Sequence, residues 1–351
     1  MRILVVNAGS SSLKLSLLGP GQQLLGEYDE LGAVPQDGVD AVGHRVVHGG
    51  SRSAPALLDD AVVDELAGLT ALAPLHQPPA LDGMAQARHR WPTLPHVACF
   101  DTAFHTTIPL GAATYALPRE WRKLSGGVRK YGFHGLSHRW ASGRAAELAP
   151  GARRVVVAHL GAGASLTAVV DGASVDTTMG FTPTAGLVMA KRPGDVDPGL
   201  VTWLITSAGL PAEEVAEGLV QRSGLQGLAG SQDMREVLAR ADAGDPDATL
   251  ALDVYLHRLC TQLGSMVAAA RGVDALVFTG GIGERSPAIR AAVVERLGFL
   301  GLALDAQANA AAPPDGEADV SAAAATARTL VVHAREDLEI ARQVRDVVVG
   351  A

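Results

Sequence analysis

The sequence predicts an α/β protein built as two domains of related design. Three observations lead there. Short β-branched runs at 3–6, 97–100, 155–160 and 275–278 alternate with longer stretches of helical spacing, the pattern of strands covered by helices. A strand, small-residue turn and returning strand occur twice, at 3–17 and again at 155–170, and a repeat at that separation predicts duplicated domains. The chain has 351 residues, too many for one simple core.

Bulk composition narrows the function. Hydrophobic residues make up 48% and charged residues 19% of the chain, as in a well-packed globule. A net charge of −8 with no basic run argues against nucleic acid or an anionic membrane surface. Aromatic residues are only 4%, too few for a base-stacking platform. Cys99 and Cys260 are the only cysteines, so neither a disulfide scaffold nor a cysteine metal cluster is expected. No apolar run reaches membrane-spanning length, and the N-terminus enters a strand without a signal-peptide pattern. The expected location is therefore the cytoplasm.

In chain order, residues 3–6 read as a buried strand and 13–17 as a return strand with one covered face. Between them lie Asn7, Ala8, Gly9, Ser10, Ser11 and Ser12. Their backbone N–H groups and hydroxyls can approach an anion, with Asn7 and Lys14 adding an amide and a cation, so the turn is a candidate phosphate cradle. An ordinary hairpin turn is the simpler reading. Residues 22–28 form a third strand. A strand from Val39 runs into His44, Arg45 and His48 and ends on Gly49 and Gly50, which fits either an anion site or a solvated turn.

Residues 59–72 have helical spacing with acids in the first turns. PLHQPP at 74–79 excludes a helix, and 80–89 form the next one. The strand at 97–100 closes on Asp101, with His105 four residues later. A carboxylate at the carboxyl end of a strand is where α/β folds place function, or else a structural turn cap. Glycines surround Phe133, His134 and His138 at 131–138. A metal pair there lacks a third ligand nearby. A helix at 140–148 ends before Pro150.

The second hairpin follows. Strand 155–160 leads to Gly161, Ala162, Gly163, Ala164 and Ser165, then strand 166–170. Gly161 corresponds to Gly9, and Ser165 to Ser12 after a one-residue slip. Two such hairpins could grip a polyphosphate. The loop 191–199 is rich in Pro and Gly yet holds Lys191, Arg192, Asp195 and Asp197. Helices are expected at 201–208, 212–221, 233–241 and 248–271. Strand 275–278 opens the Gly-rich turn 279–286 before a helix at 288–297, a common nucleotide site but neither a Walker loop nor a GxGxxG fingerprint. Residues 303–327 read as a nonfunctional surface loop. A last strand at 329–333 precedes a closing helix from Glu336, where Glu336 and Asp337 suit a helix N-terminus or a metal held through water.

Nine stretches, taken together, resemble the acetate kinase family of short-chain carboxylate kinases. They are NAGSSSLK at 7–14, GHRVVHGG at 43–50, APLHQPP at 73–79, FDTAFH at 100–105, YGFHGLSH at 131–138, HLGAGAS at 159–165, MGFTPTAGL at 179–187, RPGDVDPG at 192–199 and TGGIGERS at 279–286. The resemblance implies two ribonuclease-H-like (actin-like ATPase) domains around a central cleft. One would span 1–104 plus 336–351, the other 105–335 with the nucleotide site. It implies ATP/ADP and Mg²⁺, with Mn²⁺ as a substitute, a homodimer, and transfer of phosphate to acetate giving acetyl phosphate. Arg45, Asp101, His134 and Arg192 would be catalytic. Asn7, Ser10, Ser12, Lys14, His159, Gly161, Gly163, Gly281, Ile282 and Gly283 would hold the nucleotide. Val47, Leu75, Phe133 and Pro183 would form the acyl pocket, and Asn7 and Glu336 would serve the metal.

This chain departs from the family pattern at several positions. Ala162 and Arg285 stand where the family usually has Asn. Gln77, Leu136 and Pro193 replace a usual Asn, Thr and Ser. A lost hydrogen bond to a charged group costs about 1.5–3 kcal/mol. The alternatives are therefore a propionate or other short-acyl kinase and a weakened nucleotide-binding module. A sugar or polyol kinase would use Asp101 as base and need a polar pocket, whereas Val47, Leu75 and Phe133 are apolar.

Overall fold

Two six-stranded sheets organise the chain. The computed structural model describes residues 1–8 and 13–350, with 125 and 126 in backbone only. Contacts divide it into a first unit, Met1–Thr107 with Leu117–Trp140 and Arg335–Ala351, and a second unit, Ile108–Ala116 with Ala141–Ala334.

The first sheet holds β1 (Ile3–Ala8), β2 (Leu13–Leu18), β3 (Leu24–Tyr28), β4 (Ala41–Val46), β5 (Ala56–Leu57) and β6 (His96–Phe100), in the order β3-β2-β1-β4-β6-β5. Strands β1 to β3 form an antiparallel meander. Strands β4 and β6 then add in parallel beside β1, and β5 closes the edge antiparallel to β6. The second sheet repeats this plan with β7 (Arg154–Leu160), β8 (Ala164–Val170), β9 (Ala173–Thr177), β10 (Ala275–Thr279), β11 (Ala318–Asp319) and β12 (Arg328–Val331), in the order β11-β12-β10-β7-β8-β9. Its meander, two parallel additions and short antiparallel edge match one for one. The duplication expected from the two hairpins thus extends to the whole sheet.

The β1 run is apolar throughout because both faces are covered. Ile3 and Val5 join Val97 and Cys99 under Leu338, Ile340 and Val344 of the closing helix Glu336–Gly350. Leu4 and Val6 point the other way, into a cluster with Val42, Ala87 and Trp91. Period-two alternation explains the split.

Several elements differ from expectation. The helix Gln77–Arg90 begins inside the proline run, with Pro78 and Pro79 in its first turn. Proline lacks only an N–H that would be unpaired there, so it starts a helix as readily as it breaks one. The helix Gly135–Leu148 starts five residues early, within the glycine-rich stretch. The expected turn at 279–286 is largely a short helix, Gly280–Arg285. Within 303–327 lie a helix, Ala306–Ala311, and strand β11. Residues 117–140, expected in the second domain, group with the first unit. Among their ties, Gly135 N donates to Asp101 O at 2.9 Å and the His105 ring meets Phe133 O at 3.0 Å. No helix among the described residues is long and apolar enough to cross a membrane.

Candidate active site

Three parallel strands of the first unit bring their carboxyl ends together, and each delivers a polar side chain. Asn7 lies near the end of β1, Arg45 is the penultimate residue of β4, and Asp101 directly follows β6. The Arg45 fork donates to Asp101, Nη2 to Oδ2 at 2.7 Å and Nε to Oδ2 at 3.2 Å. Its Nη1 donates to Asn7 Oδ1 at 3.2 Å and lies 3.5 Å from Glu336 Oε2. Asp101 is 1% exposed and Arg45 17%. The Leu136 backbone N–H also bonds the Asp101 carboxylate.

That last contact depends on Gly135. A Cβ there would sit 2.1 Å from the backbone carbonyl oxygen of Asp101, so only glycine lets the helix start this close to the Asp101 backbone.

Burial pushes the Asp101 carboxyl upward; Arg45 opposes the rise and Glu336 adds to it. Burial also works against charge on Arg45, but Asp101 and Glu336 outweigh it and its pKa rises. The first shift favours a neutral acid and the second an ion pair. The forked 2.7 and 3.2 Å contact decides for the ion pair at neutral pH. Two carboxylates around one guanidinium leave one negative charge in excess. With the Asn7 amide oxygen they form a hard-oxygen donor set, which fits Mg²⁺ held by one or two carboxylates and substrate phosphates.

Val47 and Phe133 are buried. The His48 ring meets that of Phe133 edge-on at 5.7 Å and that of Tyr131 at 4.5 Å. Leu75 is 42% exposed. His134 has φ +57, a left-handed conformation uncommon outside glycine. It ends the turn before Gly135–Leu148, and its carbonyl accepts from His138 N at 2.9 Å. The His134 and His138 rings are 6.4 Å apart. They are not among the described residues whose ligand atoms converge as a metal site would require; those are Glu284, Asp315 and His333.

The second unit carries the remaining candidates. His159 is penultimate in β7, beside Thr279 of β10 and opposite Ser165 of β8. Gly161 N donates to Gly163 O at 3.0 Å, closing the turn. Gly280 has φ +77, and a Cβ there would lie 2.9 Å from Leu160 O, so glycine is needed where the Gly280–Arg285 helix leaves the sheet. Gly281, Ile282 and Gly283 form that helix. Arg192 donates to Pro183 O and pairs with no carboxylate among the described residues. Burial lowers its pKa to about 10, which leaves it charged at neutral pH. Lys14 is exposed on β2, opposite Asn7. Ser10 and Ser12 lie outside the described residues, so the first hairpin's proposed cradle is represented by Asn7 and Lys14.

Sequence reading missed Glu284 and Arg290. Glu284 Oε1 accepts from Gly280 N at 2.7 Å and Ala334 N at 3.0 Å, and Oε2 lies 2.7 Å from His333 Nδ1. It ties the ends of β10 and β12 together. Arg290, 1% exposed, donates to the carbonyls of Gly283 and Glu284 and to Asn309. Both line a cavity of about 410 Å³ with Arg285, Pro287, Ala310 and Asp315. Asp315, from the loop read as nonfunctional, pairs with Arg285 at 2.6 Å.

A duplicated α/β sheet with an Arg–Asp–Asn–Glu constellation at one set of strand ends and a glycine-rich strand-to-helix junction at the other defines a phosphotransferase of the actin-like ATPase fold. Residues 29–342 match the Acetokinase family, and the chain belongs to that family of carboxylate kinases. It is 49% identical to an acetate kinase of Deinococcus deserti over 91% of this chain and 81% of the relative. An acetate kinase of Micrococcus luteus is 45% identical over 97% of this chain and 98% of its own length. The crystal structure of Porphyromonas gingivalis acetate kinase superposes with a TM-score of 0.90 at 34% identity, covering 99% of each chain. A propionate kinase from Francisella tularensis gives 0.89 at 36% identity, covering 98% of this chain and 99% of that one.

Proposed function

We propose that this protein transfers a phosphoryl group reversibly between ATP and acetate, giving acetyl phosphate and ADP by direct in-line displacement. One observation carries the reading. The Arg45 fork sits among Asn7, Asp101 and Glu336 at the strand ends, with apolar Val47 two residues further on. A carboxylate substrate is already ionised at neutral pH and needs no general base. It needs relief from repulsion by the γ-phosphate, and phosphoryl transfer is mainly positioning and charge stabilisation.

In this reading Arg45 and Arg192 offer guanidinium forks to the transferring group. Asp101 holds Arg45 in orientation, while His134 and His159 donate to phosphate oxygens. Asn7, Ser10, Ser12 and Lys14 serve the γ-phosphate, and Gly161 and Gly163 the other phosphates. Gly281, Ile282 and Gly283 line the adenine side. Val47, Leu75, Phe133 and Pro183 enclose the methyl group. Asn7, Asp101 and Glu336 would hold Mg²⁺ (or Mn²⁺), which when bound screens negative charge on the phosphate oxygens. The two free cysteines suit a reducing cytoplasm. A homodimer is supported by the helix Pro198–Thr206, which buries none of its residues and exposes Leu200 at 47% and Trp203 at 54%.

A second reading, a propionate-preferring kinase, is favoured by the similarity to a propionate kinase. One methylene is worth only about 1–3 kcal/mol. Trapping acyl phosphate with hydroxylamine, using ATP with acetate, propionate, butyrate or glycerol, separates the readings. Acetate is expected to give the highest kcat/KM. A propionate maximum favours the second reading. Tight ATP binding with no hydroxamate from any acid would mark a weakened nucleotide-binding module.

A further inference from the structure

Arg192 is a partly buried cation with an acid three residues downstream, yet the two do not pair. The Asp195 carboxylate is occupied elsewhere. Its Oδ1 accepts from Gly186 N at 2.8 Å, while Asp195 N returns a bond to Gly186 O at 3.0 Å. Its Oδ2 accepts from the Gln262 side-chain amide at 2.7 Å. Gln262 stands on the 25-residue helix Pro246–Ala270, whose Leu259, Leu263 and Met266 are buried in the core. The reciprocal Gly186–Asp195 bonds close a loop that contains Arg192, and the Arg192 guanidinium donates to Pro183 O just ahead of that loop. The backbone of Arg192 is held as well: its carbonyl accepts from Met189 N at 3.0 Å, and Ala190 N donates to Ala162 O at 3.1 Å.

This arrangement does two things at once. It anchors the loop that contains Arg192 to a long core helix, and it engages a carboxylate of that same loop that could otherwise pair with the guanidinium. Gln262 suits the second task because a neutral amide satisfies Asp195 without adding charge. An arginine left without an internal counter-ion in a desolvated setting attracts an external anion strongly. We infer that Gln262 and Asp195 are positioning residues for Arg192, holding its charge unpaired and in place for the substrate phosphoryl group. The inference rests on the phosphotransfer reading above.

A double-mutant cycle on hydroxylamine-trapped acyl phosphate tests it, using Gln262→Leu, Asp195→Asn, Arg192→Ala and the Gln262→Leu/Arg192→Ala pair. Gln262→Leu and Asp195→Asn should each lower kcat about tenfold, with KM for ATP within about twofold, because only the aim and freedom of the guanidinium change. In the Arg192→Ala background Gln262→Leu should cost nothing further. An equal fold-loss in both backgrounds would make Gln262 merely structural and overturn the inference. So would a Gln262→Leu enzyme with unchanged kcat. If Arg192→Ala itself left kcat unchanged, the role given to Arg192 in phosphotransfer would fall first, which separates the two failures.

Discussion

Removing the Arg45 side chain strands a buried carboxylate, and the result can be worked out from the site. Asp101 is 1% exposed and, among the described residues, keeps only the Leu136 N–H once the guanidinium is gone. Breaking a buried pair by deleting one partner costs about 3–5 kcal/mol, so Arg45→Ala should lose that much stability at pH 7. The pH dependence is more diagnostic. Burial and Glu336 already push Asp101 upward while Arg45 opposes them; without Arg45 the folded-state pKa must climb further. A carboxyl whose folded pKa exceeds its unfolded value, about 3.9, binds more protons when folded. Stability then falls as pH rises through that window and returns as pH falls.

Relative to the parent, whose own Asp101 is raised to about 6, the Arg45→Ala deficit should shrink by about 1 kcal/mol between pH 7 and pH 6 and by less between pH 6 and pH 5. Urea unfolding of both proteins at pH 5, 6 and 7 measures it, and subtraction removes what the histidines contribute to both. Acyl-phosphate formation should fall at least about 100-fold, the scale of losing one donor to transition-state charge. A deficit below about 1 kcal/mol, or one that does not change with pH, would refute the buried-pair argument.

Three further outcomes are expected. Gly135→Ala would place a methyl 2.1 Å from Asp101 O and should reduce kcat more than it changes KM for ATP, as measured by initial rates. Burial, with His96 and Arg88 adding to the effect, lowers His44 to about 3, and burial lowers His48 to about 4. The unfolded chain therefore takes up protons first as pH drops below about 6.5, and each histidine should remove about 2 kcal/mol of stability by pH 5. His44→Gln should flatten that acid limb in urea titrations; an unchanged limb would clear His44. Trp203→Lys, on the exposed Pro198–Thr206 helix, should disrupt the proposed homodimer, giving monomer in sedimentation with secondary structure intact; a parent that sediments as a monomer would refute the dimer proposal.

Local signals carried much of the fold. The β-branched runs became strands β1, β6, β7 and β10, and the two small-residue hairpins announced a repeat that the sheets follow strand by strand. Proline misled at 78 and 79 because its effect reverses between the interior and first turn of a helix. The edge strands β5 and β11 are two residues each, too short for any periodicity to register. Asp101 and Arg45 stood out because both sit at strand ends. Glu284 and Arg290 did not, since their roles come from contacts with His333 and Asn309, 49 and 19 residues away, which no motif encodes.

The matched sheets also bear on how such an enzyme can change. Registered through Val6, His44 and Ala98 in the first repeat and Ala158, Phe278 and Val331 in the second, Arg45 and Asp101 correspond to Thr279 and Ala334. One sheet plan therefore holds an arginine–aspartate pair in one copy and a threonine and an alanine at the matching positions of the other. The side chains at matched strand ends can therefore diverge while the sheets that present them keep the same order and direction.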